Sequence, residues 1–454
     1  MQTDYALSPT NDDAKKAEAP QHRKVAMASL IGTAVEWYDF YIYGTCAALI
    51  FPKLFFPSVD PTLGVIAAFA TYAVGFIARP VGAAVFGHYG DRVGRKKILM
   101  LSLLMMGGST VAIGLLPTYE TAGVWAAVLL CLMRLLQGFA VGGEWGSAVV
   151  MAVEHAPKNK RGLFGSMPQV GVPLGLLAST AVFSLVSSNM TDEALYSWGW
   201  RIPFLLSIVM IVIGMFVRSE LHESPAFKEM VEQKEVAKNP AIEVVREQWK
   251  TLLVTIGMKM LQNAVFYIYS VFMLSYIVKE LHMPRSVGLN AIIIASIVGI
   301  FTIPAWSYLS DKIGRKPVYM FGCIASVLFI FPFFYLVQTK SVVLITIAIV
   351  IGLNVLHDAM YGPQAVYYSE LFGTKVRLSG ANIGYAIGAV LSGGIAPMVA
   401  AALIASNKGS TDGVAWYLVG LGVISVIATL FARETFKEHI GGAKEKSPRR
   451  AVTR

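Results

Sequence analysis

Glu36, Asp39, Arg79, Arg134, Lys259, His357 and Asp358 are ionisable residues set inside otherwise apolar sequence. Near a bilayer centre such a side chain costs about 2.5–3.5 kcal/mol on insertion scales, so it usually faces a cavity or a partner. The residue types present suit two kinds of chemistry. Arginine forks match carboxylates and lysine supplies a compact point charge; Arg79, Arg134 and Lys259 are therefore candidates to hold a small organic acid. A carboxylate gains proton affinity on desolvation and loses it beside an arginine, which makes Asp39, Glu36 and Asp358, in that order, candidates to carry a proton. His357 is the alternative carrier, because an ordinary imidazole titrates near neutral pH. Glu36 and Asp39 lie three residues apart and are expected on one helical face. Gln137, Gln262, Asn354, His357 and Tyr361 are the polar side chains expected around a bound acid. Tyr41, Tyr43, Tyr267 and Tyr269 offer hydroxyls or ring faces, although tyrosines at helical spacing more often simply pack. Glu144 is read as a structural bond to a neighbouring helix. With it there are four acids against three cations, so every cation has an internal partner available in principle.

The elements that must position these groups are membrane-spanning helices. Of 454 residues, 55% are hydrophobic and 15% charged, against about 25% charged in ordinary soluble domains. The excess falls in blocks of about twenty residues, the length that crosses a bilayer as a helix. Twelve blocks are read, at roughly 25–51, 63–86, 98–117, 122–152, 163–187 and 200–217, then 251–278, 288–308, 317–337, 341–369, 379–405 and 414–432. Trp198, Trp200, Trp416 and Tyr417 fall near span ends, where amphipathic rings favour the headgroup level. The net charge of +10 does not indicate nucleic-acid binding, because the basic residues sit between the blocks. Their bias to alternate loops (Arg92, Arg95, Lys96, Lys97; Lys158, Lys160, Arg161; Lys312, Arg315, Lys316; Lys375, Arg377) puts both termini in the cytoplasm. Cys46, Cys131 and Cys323 all lie within apolar blocks, with neither disulfide nor metal-ligand spacing. No cleavable signal peptide is read at the start, and neither a metal nor a cofactor is expected.

The chain also repeats itself. Gly87-His-Tyr-Gly-Asp91-Arg92-Val-Gly94-Arg95-Lys96 follows the second block, and Ser307-Tyr-Leu-Ser-Asp311-Lys312-Ile-Gly314-Arg315-Lys316 follows the eighth. Glu154 precedes Arg161 by seven positions, and Glu370 precedes Arg377 by seven. The expected organisation is a tail (1–24), a six-helix bundle (25–217), a cytoplasmic linker (218–250), a second six-helix bundle (251–432) and a basic tail (433–454). Arginines of such loops pair bidentately with carboxylates, and ion pairs on one membrane face can open and close as a gate. Gly87, Asp91, Arg92, Gly94, Arg95, Glu154, Arg161, Asp311, Arg315, Glu370 and Arg377 are the expected cytoplasmic gate.

The G-x-x-x-D-R-x-G-R-K loop resembles the signature of the major facilitator superfamily, and Arg134-x-x-Gln137-Gly138 is similar to its second motif. Glu36-Trp-Tyr-Asp39-Phe, Gly142-Gly143-Glu144-Trp145 and Ser197-Trp-Gly-Trp-Arg201-Ile-Pro203-Phe resemble the metabolite:proton symporter family, which includes shikimate, α-ketoglutarate, citrate and proline/betaine carriers. The resemblance implies an all-α membrane protein of twelve helices in two pseudo-symmetric bundles, with spans one, four, seven and ten lining a central cavity. At about 1.5 Å rise per residue, Glu36 and Arg134 lie roughly 16 and 18 Å into their spans, so an ion pair of Arg134 with Glu36 or Asp39 is expected. The second loop departs from the signature at Ser307, Ser310 and Lys312, so its gate is expected to be loose.

These readings converge on a secondary active transporter that imports a small organic acid, mono- or dicarboxylate, with protons by alternating access. It would be a monomer in the bacterial cytoplasmic membrane, with lipid, protons and the acid as its partners and no nucleic acid. A channel lacks its filter-like loop; an enzyme or ATP-driven pump lacks its motifs. A proline/betaine-type osmolyte symporter is the alternative, disfavoured by the short basic tail without heptads.

Overall fold

The computed structural model describes residues 11–83, 85–86, 95–142, 145–154, 156, 160–219, 240–372 and 377–437, and among these all regular structure is helical. The elements used below are α1 (Asn11–Leu49), α2 (Pro61–Ala83), α3 (Arg95–Leu115), α4 (Val124–Val141), α5 (Trp145–Glu154), α6 (Arg161–Ser188) and α7 (Gly199–Val217). They continue as α8 (Trp249–Lys279), α9 (Arg285–Ile313), α10 (Arg315–Gln338), α11 (Val342–Leu371), α12 (Ser379–Ser406) and α13 (Asp412–Phe431). Among the described residues ten helices are long and apolar enough to cross a membrane, and a shorter apolar stretch, Met100–Leu115, lies within α3. The block read as one span over 122–152 contains α4 and α5; residues 143 and 144, Glu144 among them, lie outside the described residues. Of the linker, Pro240–Glu247 is helical, and residues 220–239 lie outside the described residues.

In lipid the helix-to-helix contacts must come from packing, because apolar surface gains little by leaving one hydrocarbon environment for another. Here α2 and α4 meet backbone to backbone. A Cβ on Gly138 would stand 1.8 Å from the Gly75 carbonyl oxygen, and one on Gly82 would stand 1.9 Å from that of Phe139. Overpacking of a tight contact costs about 1–3 kcal/mol, and here the obstacle is backbone. Gly138→Ala is therefore expected to lower the thermal midpoint of the purified protein by several degrees, on the scale of about 2–4 °C per kcal/mol. An unchanged melting curve would contradict the close approach.

Outward faces carry large exposed apolar side chains, Phe301, Leu328 and Phe431 among them, as a lipid-facing belt requires. Trp198 and Trp416 are exposed, as interfacial rings should be. Trp200 is fully buried instead, packed edge-on against Phe51, Phe55 and Phe204. It closes the end of the bundle where the short helix Phe51–Leu54 folds back. At that end Asp60 caps α2 by accepting the Thr62 N–H at 2.8 Å, which holds its carboxyl below the usual range.

Central contacts run between the first and second sets of helices. α6 packs on α1 and, by another face, on α9, while α2 packs on α12. In α8, α11 and α12 one turn widens to a π-helix, at Ile268–Phe272, Ile351–His357 and Val390–Gly394. Such turns are frequent at functional sites because they re-aim side chains locally. The turn in α11 carries Asn354 and His357 and ends against Asp358.

Candidate functional site

Between the two sets of helices lies a cavity of about 30 Å³, lined by Glu36 and Trp37 of α1, Arg79 of α2, Trp145 of α5, and Asn382 and Tyr385 of α12. That is room for a water molecule or two. A metabolite therefore enters only if the helices separate. Trp145 and Tyr385 stack across it with ring centroids 3.9 Å apart.

Two cations converge here. The Arg79 guanidinium centre stands 4.4 Å from the ring centroids of both Phe40 and Phe76, and its Nε and Nη2 are buried without hydrogen-bond acceptors. Lys259 of α8 is fully buried. Its Nζ donates to Gln364 Oε1 at 2.9 Å and lies 3.7 Å from the Tyr385 ring centroid. Arg79 and Lys259 are near enough to repel one another. Tyr41 and Tyr361 present buried hydroxyls without partners to the same region.

From Lys259 a chain of polar contacts leads away. Gln364 Nε2 donates to Gln262 Oε1 at 3.3 Å, with the Tyr319 and Tyr368 hydroxyls nearby. Gln262 Nε2 contacts His357 Nε2 at 2.6 Å, and His357 Nδ1 contacts Asp358 Oδ1 at 3.0 Å. Asp358 Oδ2 accepts from Thr302 Oγ1 (2.5 Å) and Asn354 Nδ2 (3.2 Å). The sequence reading missed Gln364, Tyr319, Tyr385 and Thr302. One signal was available: His357, Tyr361, Gln364 and Tyr368 recur at steps of four, three and four, a polar stripe along one face of α11.

Arg134 departs from its expected pairing. Its Nη1 donates to Gln137 Oε1 at 2.9 Å, and the guanidinium centre lies 4.2–4.6 Å from the rings of Phe40, Tyr43 and Tyr72. No carboxylate stands among its contacts with the described residues. Asp39 is turned away from the cavity that Glu36 lines: its Oδ1 accepts from Ser207 of α7 at 2.5 Å, and Thr110 of α3 bonds it from another side. Thr110 in turn accepts from Gln137 Nε2 at 2.7 Å, so Asp39 and Arg134 are joined only through neutral groups. Three residues of helix rotate a side chain by about 60°. Because α1 is wedged between the cavity and α7, that rotation sends Glu36 and Asp39 to different neighbours.

One end of the bundle is latched. Asp311, at the end of α9, accepts the N–H groups of Gly162 and Leu163 at 2.8 and 3.1 Å, in the first turn of α6. It also pairs with Arg315 Nη1 at 2.7 Å, and Arg315 Nε reaches Glu370 at 3.3 Å. Arg161 lies close enough to Glu370 to act on it electrostatically. Nearby, Gln169 of α6 accepts from Trp145 Nε1 at 3.0 Å and donates to the Tyr361 carbonyl at 3.1 Å. Of the three departing positions in the second loop, Ser310 accepts from Arg315 Nη1 at 2.8 Å, whereas the buried Ser307 hydroxyl has no hydrogen-bond partner among the described residues and Lys312 is exposed. Gly87, Asp91, Arg92 and Gly94 lie outside the described residues, as do the side chains of Arg95, Glu154 and Arg377. At the other end Arg285 pairs with Asp192 at 2.7 Å, and Lys279 Nζ donates to the Pro61 carbonyl at 3.1 Å.

A wholly helical, many-span bundle with buried charges gathered between its parts has the build of a membrane transporter. The model of the Major Facilitator Superfamily matches residues 29–384, and the chain belongs to that superfamily. It is 41% identical to the shikimate transporter of Escherichia coli, over 95% of this chain and 99% of that one. It is 35% identical to the proline/betaine transporter of Salmonella typhimurium, over 93% of this chain and 85% of that one. Among solved structures it matches the proton:xylose symporter XylE with a TM-score of 0.70 at 17% identity, over 92% of this chain and 97% of that one, a likeness of fold.

Proposed function

We propose that this protein is a proton-coupled symporter that imports a small organic acid across a bacterial cytoplasmic membrane by alternating access. Its twelve spans form two six-helix bundles, 25–217 and 251–432, with both termini and the linker in the cytoplasm. The observation that carries this reading is Lys259: a fully buried ammonium held by a neutral amide and an aromatic ring, with no carboxylate among its contacts with the described residues. A buried charge without a counter-ion is costly, and a substrate carboxylate would supply one. Arg79, with two unused donor atoms, and the Tyr41 and Tyr361 hydroxyls supply further bonds to a hydroxylated acid. Gln137 and Arg134 of α4, and Gln262, Asn354 and His357 of α8 and α11, would join the site when the helices separate. Glu36 and Asp358 are the acids nearest this route, whereas Asp39 would act through Thr110 and Gln137. The gate residues at the Asp311 end would lie on the cytoplasmic face. The likeness to the shikimate transporter over nearly the full length of both chains supports the substrate class.

An osmolyte such as betaine would need open ring faces for its quaternary ammonium. Here the faces of Phe40, Phe76 and Tyr385 already lie against Arg79, Arg134 and Lys259, so the relatedness to proline/betaine transporters is the weaker guide. The test is uptake into proteoliposomes with labelled shikimate, α-ketoglutarate and betaine. An imposed inward proton gradient is expected to drive accumulation of a carboxylate about tenfold above equilibration, the ratio of one pH unit at one proton per substrate. Uptake indifferent to the gradient would refute symport, and uptake of betaine alone would refute the acid.

A further inference from the structure

We infer that Gln262 and Gln364 form a reversible amide relay that links proton uptake at His357 to release of Lys259 for the substrate carboxylate. The inference rests on the organic-acid reading and adds to it the coupling device. Its basis is the 2.6 Å contact between two nitrogens, Gln262 Nε2 and His357 Nε2. A primary amide nitrogen donates and never accepts. His357 Nε2 must then be the bare, accepting nitrogen, and the ring proton must sit on Nδ1, facing Asp358 Oδ1 at 3.0 Å. Asp358 fixes that tautomer, and is itself fixed by Thr302 and Asn354.

Every bond in the chain then points one way. Gln262 donates to His357 and accepts from Gln364, whose own oxygen accepts from Lys259. A proton arriving at His357 Nε2 turns an acceptor into a donor, so the Gln262 amide must rotate to present its oxygen. The Gln262 nitrogen then faces Gln364, which must rotate as well. That second rotation brings an amide nitrogen toward Lys259 and removes the ammonium's only hydrogen-bond acceptor among the described residues. Lys259 is left to the carboxylate of a substrate. A proton and an organic anion consequently bind together or not at all, and the proton is returned from Nε2 to water when the anion leaves.

The charged and titratable groups around this chain come from every helix packed on it. They are Lys259 on α8, Asp358, Tyr361 and Tyr368 on α11, Tyr319 on α10, Tyr385 on α12, Arg79 on α2 and Tyr41 on α1, with Thr302 as the polar contact from α9. None of the acids reaches Lys259 directly, so the two amides are the only hydrogen-bonded path between it and His357 among the described residues. A merely structural amide would fill space and satisfy neighbours without caring which way the others point.

The experiment uses the full chain in lipid nanodiscs and compares wild type with Gln364→Leu. Binding of labelled shikimate to wild type is expected to tighten about tenfold between about pH 8 and pH 6, as binding that takes up a proton must. Gln364→Leu should still bind it but lose most of that pH dependence. A wild-type-like pH dependence in Gln364→Leu would overturn the relay. In parallel, nitrogen-15 labelled histidine is followed by NMR without any ligand. Wild type should show the Nδ1–H tautomer of His357. An Nε2–H tautomer overturns the relay whatever the substrate. If wild type binds no carboxylate but the NMR result holds, the organic-acid reading fails and the relay stands.

Discussion

Replacing Lys259 by methionine is expected to reduce uptake of the proposed organic acid by roughly a hundredfold or more while leaving the protein at least as heat-stable as wild type. Two opposite charges 4 Å apart at an effective dielectric of about 20 attract by about 4 kcal/mol, nearly a thousandfold in binding. The nearby Arg79 guanidinium retains part of that attraction, which brings the estimate down. The stability half of the prediction runs against the usual effect of a core substitution. Lys259 is fully buried, and what faces it is an amide oxygen, an aromatic ring and another cation. Removing an uncompensated buried charge lifts a desolvation penalty, and methionine fills the same narrow channel with a flexible apolar stem. Uptake assays together with thermal unfolding of the purified variant separate the cases. Loss of uptake with an unchanged or raised midpoint supports a substrate anchor. A fall in both would make Lys259 a structural residue, and near-normal uptake would remove it from the site.

What the sequence made legible divides along a physical line. Apolar blocks announce spans because length and composition are local properties, and costly ions announce themselves against that background. Lys259, His357, Asp358 and Arg79 were recognisable for this reason, and all four lie close to the cavity or its polar chain. The repeated Asp-x-x-Gly-Arg pattern likewise pointed to Asp311 and Arg315, which meet as a buried ion pair. Gln364 was not legible, since a neutral amide in an apolar helix is no anomaly in composition. The direction of Asp39 was hidden for another cause: spacing tells which residues share a face but not how the helix is rolled against its neighbours. Here α1 is rolled so that Ser207, not the cavity, meets that carboxylate. The end of α4 at Gly142 was hidden too, because the apolar run continues past it.

The second large effect is expected at Asp311. Its carboxylate binds two backbone N–H groups that open α6 and the guanidinium of Arg315, so one side chain of α9 holds the first turn of a helix from the other set. The approach is as close as backbone allows: a Cβ on Gly162 would stand 2.5 Å from the Ser307 carbonyl and 2.8 Å from Asp311 Oδ1. A charge at a helix N-terminus contributes about 0.3–1 kcal/mol on a surface and up to ~2 kcal/mol when partly buried. Hydrogen bonds to charged groups contribute about 1.5–3 kcal/mol. Asp311→Ala removes both and leaves Arg315 with Glu370 and Ser310 alone. A loss of about 2–3 kcal/mol moves an equilibrium between closed and open forms roughly 30- to 150-fold toward opening at this end. Val366 reports on it, being fully buried in the small apolar cluster with Val149 and Val153, against Gly165 in the turn of α6 that follows the one Asp311 holds. In a background without the three native cysteines, Val366→Cys is expected to react with maleimide about 30-fold faster or more when Asp311 is alanine, the lower bound of that shift. Uptake should fall at the same time, because a protein resting open at one end rarely presents its site at the other. Asp311→Glu should restore little, since a longer carboxylate has no room between Gly162 and Ser307. Equal labelling rates in the two proteins would show that the Asp311 contact is ornamental to the latch, and the closing of this end would then rest on the stacking of Trp145 against Tyr385.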